Sequence, residues 1–371
     1  MDYFYISIVI SLQICLLLQL FYVIVIHRKL ASFRGIEPDT QLKLPLSVII
    51  CARNELDNLK KNLVPILTQD YSDFEVIVVN DCSIDGSDWF LQDLSVEYKN
   101  LKVVTILEHP RFKHGKKFAV TLGIKAAKNE NLVFTDADCK PASNQWLRHM
   151  QSNFSGNTEI VLGYSPYELK GGFLNKFIRF ETFLTALNYL SYALKGVPYM
   201  GVGRNLAYKK SLFFSGKGFA SHMHILSGDD DLFVNQNANR LNTRIEIHPD
   251  AQVWSEPKNS IFGFFSQKFR HQSAGKAYKN QHKRMLTIQV LSGILFYALL
   301  ITLMVLKGQW WLIAAAFFLR MLVQILVYIP VLKKLNYIDL VWYFPVFDFI
   351  YYIYIMLLSF ISIFRKKVEW K

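Results

Sequence analysis

Cysteine is scarce in this chain, which has four cysteines among 371 residues. Cys15, Cys51, Cys82 and Cys139 form no C-x-x-C pair, and none has a histidine partner at metal-ligand spacing. Structural zinc sites and disulfide frameworks both need regularly spaced cysteines. The sequence therefore excludes both, and we expect Cys51 and Cys82 to be small apolar residues at strand ends in a reducing compartment.

Acidic residues are absent from residues 257–338, a stretch that is rich in lysine and arginine. The chain as a whole carries a formal net charge of +13, which raises the question of a nucleic-acid partner. No nucleic-acid-binding module is recognisable, so we expect no such partner. A basic collar just before an apolar segment instead favours anionic lipid head groups, and part of it could face a diphosphate. The collar consists of Lys258, Lys268, Arg270, Lys276, Lys279, Lys283 and Arg284.

Long apolar runs lie near both ends of the chain, at residues 3–26, 285–306 and 310–332. Each run is long enough to cross a bilayer as a helix. The first has no preceding basic residue and no small-residue cleavage site, so we expect an uncleaved anchor and not a signal peptide. The expected organisation is an anchor over residues 1–30, a soluble domain over 40–284 with membrane-interface segments near its end, and a membrane region over 285–371.

Charges next to these runs predict their orientation. Residues 27–29 (His-Arg-Lys) follow the first run, and the positive-inside rule then places the N-terminus outside and the soluble domain in the cytoplasm. A further apolar run at residues 340–364 contains Pro345 and Asp348 and precedes the basic residues 365–367. If this run crosses the membrane, the basic end lies outside, against the rule; the alternative is an amphipathic or re-entrant segment in the interface. We expect a multi-pass protein of the cell membrane with two or three C-terminal spans.

Two kinds of hydrophobic pattern alternate between the apolar ends. Short runs rich in β-branched residues predict strands, and helical spacing characterises the segments between them. This alternation indicates an α/β fold with a doubly wound, mostly parallel sheet. Ligands of such sheets bind beyond the carboxyl ends of the strands. The predicted strands are 46–51, 74–80, 102–107 and 132–135, and the predicted helices are 55–69, 87–98 and 116–128.

Polar and acidic residues follow three of these strands: Asn54 with Glu55, Asp81, and the pair Asp136 and Asp138. Carboxylates accommodate an anionic nucleotide diphosphate-sugar when a divalent cation lies between them, so the pattern predicts such a donor with Mg²⁺ or Mn²⁺. We expect Asp138 to ligate the metal, and Asp136 to hold the ribose or to reach the metal through water. Asp81 would accept hydrogen bonds from the nucleoside, although it could instead only shape the turn that follows it.

Lys116 and Lys117 follow Gly115 at the point where a helix is expected to begin. Free backbone amides at a helix start, together with an ammonium group, favour anion binding. We therefore place Lys116 with Glu55 among the donor-binding residues. The alternative is a solvated helix terminus that binds nothing.

Seven segments occur in order along residues 45–274. They are SVIICARNE, EVIVVNDCSIDGS, GKKFAVTLGI, FTDADCKP, MGVGRNLAYKKSLF, GDDDLF, and the Q-x-x-R pair Gln267 and Arg270. Together they resemble the motif series of family-2 inverting glycosyltransferases with a GT-A fold. Membrane members such as cellulose synthase, hyaluronan synthase and ceramide glucosyltransferase share the order of anchor, cytosolic domain and trailing spans. The resemblance implies that Asp81 contacts the nucleoside, that Asp136 and Asp138 form the D-x-D site, and that Gln267 and Arg270 bind the diphosphate and acceptor region.

The resemblance leaves two registers for the catalytic base in SGDDDLF. A G-E-D-x-x-L template makes Asp230 the base but misplaces Leu232 by one position, whereas matching Leu232 selects Asp229. We prefer Asp230 and keep Asp229 as the alternative. The implied reaction is a single displacement that inverts the anomeric carbon while the base removes a proton from an acceptor hydroxyl.

Two sequence features predict the acceptor. Membrane synthases of the family usually have Arg-Trp where this chain has Arg270 and His271, so a flat surface for an acceptor sugar is lost. The aromatic stretches 172–194 and 261–265 could lie in the membrane interface, although the first could equally be core packing. We expect transfer of one sugar, from a UDP-sugar, to a lipid acceptor. The alternatives are a processive polysaccharide synthase, a non-catalytic nucleotide-binding scaffold and a transporter, the last disfavoured by the few charged residues in the spans.

Overall fold

The structure is a computed structural model that describes residues 2–38, 43–107, 115–225 and 227–364. Its strands are β1 (Leu46–Ala52), β2 (Phe74–Asp81), β3 (Leu101–Ile106), β4 (Asn131–Asp136), β5 (Cys139–Pro141), β6 (Ile160–Gly163), β7 (Leu206–Lys209), β8 (Thr243–Glu246) and β9 (Val253–Ser255). Its α-helices are α1 (Asp2–Phe21), α2 (Arg28–Ser32), α3 (Leu56–Leu67), α4 (Ser87–Glu97), α5 (Lys116–Ala126), α6 (Trp146–Ser152), α7 (Phe173–Leu194), α8 (Lys210–Ser215), α9 (Asp231–Asn237), α10 (Ile261–Gly275), α11 (Asn280–Val305), α12 (Trp310–Lys334) and α13 (Phe344–Phe364).

A mixed, mostly parallel sheet forms the centre of the molecule, in the strand order β3-β2-β1-β4-β7-β6-β8. β1 to β4 are parallel to one another and β8 is parallel to β6, whereas β7 runs antiparallel to both β4 and β6. The predicted α/β fold is therefore confirmed. The four predicted strands end within one residue of the observed ones, because buried β-branched runs between polar turns mark a strand clearly.

The register of the parallel strands brings their carboxyl ends to one edge of the sheet. Cys51 of β1 lies beside Asp136 of β4, and Ala52 lies beside Asn80 of β2. The residues that follow these positions along the chain therefore converge, as the polar residues after the predicted strands led us to expect.

Apolar side chains cover both faces of the sheet. One face packs against α3, α4 and α6, through a cluster that includes Leu63, Leu91 and Trp146. The other face packs against α5, α7 and α9, and the same cluster continues into α12 and α13 through residues such as Val331 and Phe347. The sheet and the C-terminal helices consequently share one continuous apolar core.

Within the described residues, four helical segments are long and apolar enough to cross a membrane, at Tyr3–Ser32, Asn280–Val305, Trp310–Lys334 and Ile338–Ser362. The last begins with a 3₁₀ turn at Ile338–Tyr343, and α13 then continues without a break past Asp348. Pro345 causes no break because it lies in the first turn of the helix, where its missing N–H has no partner to lose. The basic residues 365–367 lie outside the described residues.

The aromatic stretch at residues 172–194 forms α7, which is mostly buried within the protein. Its rings pack on α13 and α10, where Phe177 meets Phe347, Tyr354 and Phe264. Phe173, at the start of the helix, is exposed. Core packing, the alternative raised by the sequence, therefore accounts for this segment.

Candidate active site

The D-x-D pair lies where β4 ends. Asp136 is the last residue of β4, and Asp138 follows in the turn that leads into β5. Ligand atoms of Asp136, Asp138 and Cys139 lie within 4.8 Å of one another. The Cys139 Sγ–H donates to Asp138 Oδ1, and burial raises the pKa of this thiol, so it stays protonated. The two carboxylates supply the oxygen ligands that Mg²⁺ and Mn²⁺ prefer, and the site fits such a cation.

Lys116 connects this pair to the second group of carboxylates. Its Nζ lies 2.8 Å from Asp136 Oδ1 and 3.2 Å from Asp229 Oδ2. Burial alone would lower the pKa of this amine, but the carboxylates of Asp136 and Asp229 raise it well above its usual value. Lys116 therefore stays charged and draws the two motifs together, at the start of α5 as the sequence predicted.

Asp230 is held by backbone amides immediately before α9. Its Oδ2 accepts a hydrogen bond from the N–H of Gly203 at 2.7 Å, and its Oδ1 accepts from the N–H of Asp231 at 2.7 Å. Burial, and then the carboxylate of Asp229, raise its pKa. A raised pKa suits a general base that works near neutral pH.

The three consecutive aspartates point to different partners. Asp229 faces Lys116, and Asp230 lines the same cavity as Lys116 and Asp136. Asp231 turns away, because its Oδ1 accepts from the N–H of Leu232 and its Oδ2 accepts from the hydroxyl of Tyr278 at 2.8 Å. Asp231 thus joins α9 to the segment after α10.

Asp81 and Glu55 lie at the same edge of the sheet. Asp81 is buried at the end of β2, and no residue in the described part of the chain donates a hydrogen bond to its Oδ1. The turn after β2 is shaped by Asp85 instead, which accepts from the N–H groups of Ser87 and Leu56. Burial, and to a smaller extent the carboxylate of Asp138, raise the pKa of Glu55, which is therefore near the D-x-D pair.

Gln267 and Arg270 lie one helical turn apart on α10. The Nε2 of Gln267 donates to the hydroxyl of Tyr167 at 3.2 Å. Burial would raise the pKa of Asp136, but the charges of Lys116, Arg204 and Arg270 lower it, in that order. Arg270 of the Q-x-x-R pair is thus one of three cations whose charge stabilises the ionised form of Asp136.

Two basic residues near this site have contacts that the sequence did not predict. The buried Lys117 Nζ donates to the carbonyls of His222 at 2.6 Å and Ile225 at 2.9 Å, and burial lowers its pKa to about 8. It holds the loop that precedes Asp229. The other residue is Arg204, in the GRN segment of the MGVGRN motif. Lys117 lies in the segment GKKFAVTLGI and Arg204 in MGVGRNLAYKKSLF. Their places in this ordered series of motifs were the signal that could have identified both residues.

Comparison with known proteins agrees with this arrangement. A family model described as Glycosyl transferase family 2 matches residues 47–222. Glycosyltransferase AglE of Haloferax volcanii is 34% identical over 120 residues, which cover 32% of this chain and 38% of the relative. Poly-beta-1,6-N-acetyl-D-glucosamine synthase of Staphylococcus epidermidis is 23% identical over 234 residues, 62% of this chain and 54% of the relative. The chain thus spans about half, or less, of the length of these curated relatives.

A solved structure with the same fold is the mannosyltransferase PcManGT from Pyrobaculum calidifontis, in complex with GDP-Man and Mn2+. It has a TM-score of 0.60 and 18% sequence identity, and the match covers 94% of this chain and 98% of that one. The GT-A type of fold is therefore shared over nearly the whole chain. The family match ends before Asp229, so it includes the D-x-D pair but neither candidate base. Over residues 47–222, the chain is therefore similar to glycosyl transferase family 2.

Proposed function

We propose that the protein is a membrane-bound, inverting glycosyltransferase that transfers one sugar from a nucleotide diphosphate-sugar to a lipid-type acceptor. One observation carries this proposal. A single cavity is lined by Asp136 of the D-x-D pair, by Lys116 and by the aspartates Asp229 and Asp230. Groups that bind an anionic donor and a group that can accept a proton thus border the same space.

The donor would be bound by residues from four motifs. Asp138 and Asp136 would hold Mg²⁺ or Mn²⁺, and that cation, when bound, offsets the charge of the donor diphosphate. The neighbour PcManGT, with GDP-Man and Mn2+, supports a divalent cation without deciding between the two metals. Glu55 and Asp81 would bind the nucleoside side, while Lys116, Gln267 and Arg270 would bind the diphosphate side. A UDP-sugar is our first choice of donor, with a GDP-sugar as the alternative.

Asp230 would act as the base. The acceptor hydroxyl passes its proton to the Asp230 carboxylate while its oxygen forms a bond to the anomeric carbon. The bond between that carbon and the diphosphate oxygen breaks, and the electron pair leaves with the diphosphate. The amide of Gly203 fixes the orientation of Asp230. Asp229 is instead engaged in an ion pair with Lys116, which supports Asp230 as the base.

A lipid acceptor is supported by the environment of the cleft. α10, which carries Gln267 and Arg270, begins with two exposed apolar side chains, Ile261 and Phe262, 63% and 80% exposed. Three of the four apolar helices in the described part of the chain, all except Asn280–Val305, have buried residues in the apolar core of the sheet domain, so the cleft and a bilayer would be close together. We propose a cytoplasmic sheet domain and an external N-terminus. A processive synthase is the second candidate, because a poly-N-acetylglucosamine synthase aligns with 62% of the chain.

The reaction product distinguishes these candidates. Detergent-purified protein would be incubated with radiolabelled UDP- and GDP-sugars, Mg²⁺ or Mn²⁺, and native membrane lipid. We expect an organic-extractable product that carries one added sugar. Water-soluble ladders formed without added lipid would establish the synthase instead. Donor binding without any transfer would establish a non-catalytic scaffold.

The metal assignment has a separate test. Asp138→Asn should weaken donor binding only when metal is present, because the variant loses a charged oxygen ligand. Donor binding would be followed by ligand-dependent thermal stabilisation, which reports affinity by mass action. Asp93→Asn, a change of the same kind on the exposed face of α4, is the control. Equal metal-dependent binding by Asp138→Asn and the control would contradict the assignment.

A further inference from the structure

Arg204 lies in a short 3₁₀ turn, Gly203–Asn205, directly before β7. Both neighbours of this arginine are fixed. The Gly203 N–H donates to Asp230, and the Asn205 Nδ2 donates to the carbonyls of Tyr164 at 2.8 Å and Ala251 at 2.9 Å. The turn that holds the candidate base therefore also sets the position of the Arg204 side chain.

The Arg204 guanidinium lies 4.4 Å from the centre of the Tyr167 ring, and its Nη2 donates to the carbonyl of Ser165 at 3.3 Å. Its Nη1 is buried and has no hydrogen-bond partner among the residues that the structure describes. No described carboxylate lies within ion-pairing distance of it. A buried guanidinium nitrogen without a hydrogen-bond partner costs free energy. We therefore expect a ligand to accept a hydrogen bond from it.

The charges around Arg204 indicate which ligand. Gly203, the residue directly before Arg204, lines the same cavity as Asp136 of the D-x-D pair and Asp230. Arg204 therefore lies beside the D-x-D pair without forming an ion pair with it. If Asp136 and Asp138 held a divalent cation, their charge would no longer offset that of Arg204. A phosphoryl group would then supply the matching negative charge.

The Tyr167 ring prepares the guanidinium for such a ligand. The Tyr167 hydroxyl accepts a hydrogen bond from Gln267, and the backbone N–H of Tyr167 donates to the hydroxyl of Tyr337 at 2.6 Å. A guanidinium stacked on a fixed ring presents a rigid, planar set of donors, which matches phosphoryl oxygens. Tyr337 lies just after α12, so the contacts that fix the Tyr167 ring reach one of the apolar C-terminal helices.

We propose that Arg204 binds a phosphoryl oxygen of a substrate in the active-site cleft. This inference rests on the proposed function and adds to it a residue outside the D-x-D and Q-x-x-R motifs. The donor diphosphate is the favoured source of the phosphoryl group, because Arg204 adjoins the carboxylates that would hold the cation. A phosphate on the acceptor has the same chemistry and is the other source.

The test uses the full chain in detergent with Mn²⁺. UDP, GDP and inorganic pyrophosphate are the probes, and uridine and guanosine are matched ligands without phosphate. Arg204→Met should weaken binding of the three phosphate probes about ten- to hundredfold, the loss typical of a charge-assisted hydrogen bond. Nucleoside binding should not change. Arg244→Met, a partly buried arginine of β8 that bonds Ser155, is the control.

Each result bears on the inference. Unchanged probe binding with a raised KM for a phosphate-bearing lipid, compared with its unphosphorylated form, would assign Arg204 to the acceptor phosphate. Unchanged values for both, or an equal loss for nucleosides and phosphate probes, would overturn the inference. Arg204→Gln replaces Arg204→Met if the latter does not fold. If Asp138→Asn leaves metal-dependent donor binding unchanged, the metal assignment in the proposed function is wrong. If only the Arg204 variants bind the probes and turn over substrate like the unaltered protein, this inference alone is wrong.

Discussion

The molecule buries charge in two regions, the active-site cleft and the C-terminal helices, and it does so differently. Between α12 and α13, Arg320 Nη1 lies 2.6 Å from Asp348 Oδ2, and these side chains are 0% and 3% exposed. Tyr297 donates to the same oxygen, and Arg320 Nη2 donates to Gln19 Oε1 at 3.0 Å. One positive charge thus meets one negative charge at a point where α1, α11, α12 and α13 converge.

The residues that line the cavity of the cleft are not paired one to one. Asp136, Asp229 and Asp230 line one cavity together with a single lysine, Lys116. Crowded carboxylates repel one another, which is how the pKa of Asp230 comes to be raised. Clustered carboxylates destabilise a fold by their mutual repulsion, but they suit the binding of a cation and the acceptance of a proton. Charges paired one to one thus join helices, whereas the clustered carboxylates of the cleft share one lysine.

The pairing also bears on the transporter alternative. An ionisable residue within a membrane segment usually marks a functional site. Here Arg320 and Asp348 satisfy each other, and Asp339 pairs with Arg179 of α7. These charges hold helices together, and the described spans offer no ionic path for a substrate.

The largest expected effect comes from removing charge in the cleft. Asp230→Asn should lower the rate of sugar transfer by about 10²–10⁴-fold, the usual contribution of a general base. Donor affinity should change little, because the carboxylate acts on the acceptor proton. Initial rates with a radiolabelled donor, together with donor binding, check this prediction. Asp229→Asn is the matched variant, and if it alone shows this pattern, Asp229 is the base.

The next effect comes from breaking the balanced pair. Arg320→Met should lower the free energy of unfolding by about 3–5 kcal/mol, because the Asp348 carboxylate stays buried without its partner. The double variant Arg320→Met with Asp348→Leu should recover most of this loss, since no charge is then buried. Thermal unfolding of the detergent-purified chain measures both. A single variant as stable as the unaltered protein would show that the pair does not matter for stability.

Much of the fold and of the D-x-D site could be predicted from the sequence, because both depend on local pattern. Buried β-branched strands and the carboxylates that follow them are neighbours along the chain, and parallel pairing brings their ends together. Lys116 was predicted for the same reason, as the first residue of a helix.

Other features depend on contacts between distant segments. Adjacent helical residues point about 100° apart, so Lys116 faces the carboxylates while Lys117 faces the carbonyls of a later loop. The directions of the three aspartates are set by Gly203 and Tyr278, which are far from them in sequence. Whether α7 packs in the core was equally undecidable from its composition, because the same aromatic residues suit a core and a membrane interface.

The smallest expected effect concerns Asp231, a carboxylate of the cleft motif that has an architectural role. Burial, and then the carboxylate of Asp230, hold the pKa of Asp231 above its usual range. The folded protein therefore keeps a proton on this group that the unfolded chain has released. Stability from the group is fully present below pH 4, the unfolded pKa being about 3.9, and is lost as the pH rises toward about 8.

Asp231→Asn should remove this loss, because an amide is neutral at every pH and can still accept from Leu232 and pair with the Tyr278 hydroxyl. We expect the gain in Tm over the unaltered protein to be larger at pH 8 than at pH 5, by about 1–2 °C for each kcal/mol recovered. Thermal unfolding between pH 5 and pH 8.5 measures the difference, with Asp93→Asn as the exposed control. A Tm difference that stays constant with pH would show that Asp231 is ionised in the folded protein throughout this range, and would place it with the clustered carboxylates of the cleft.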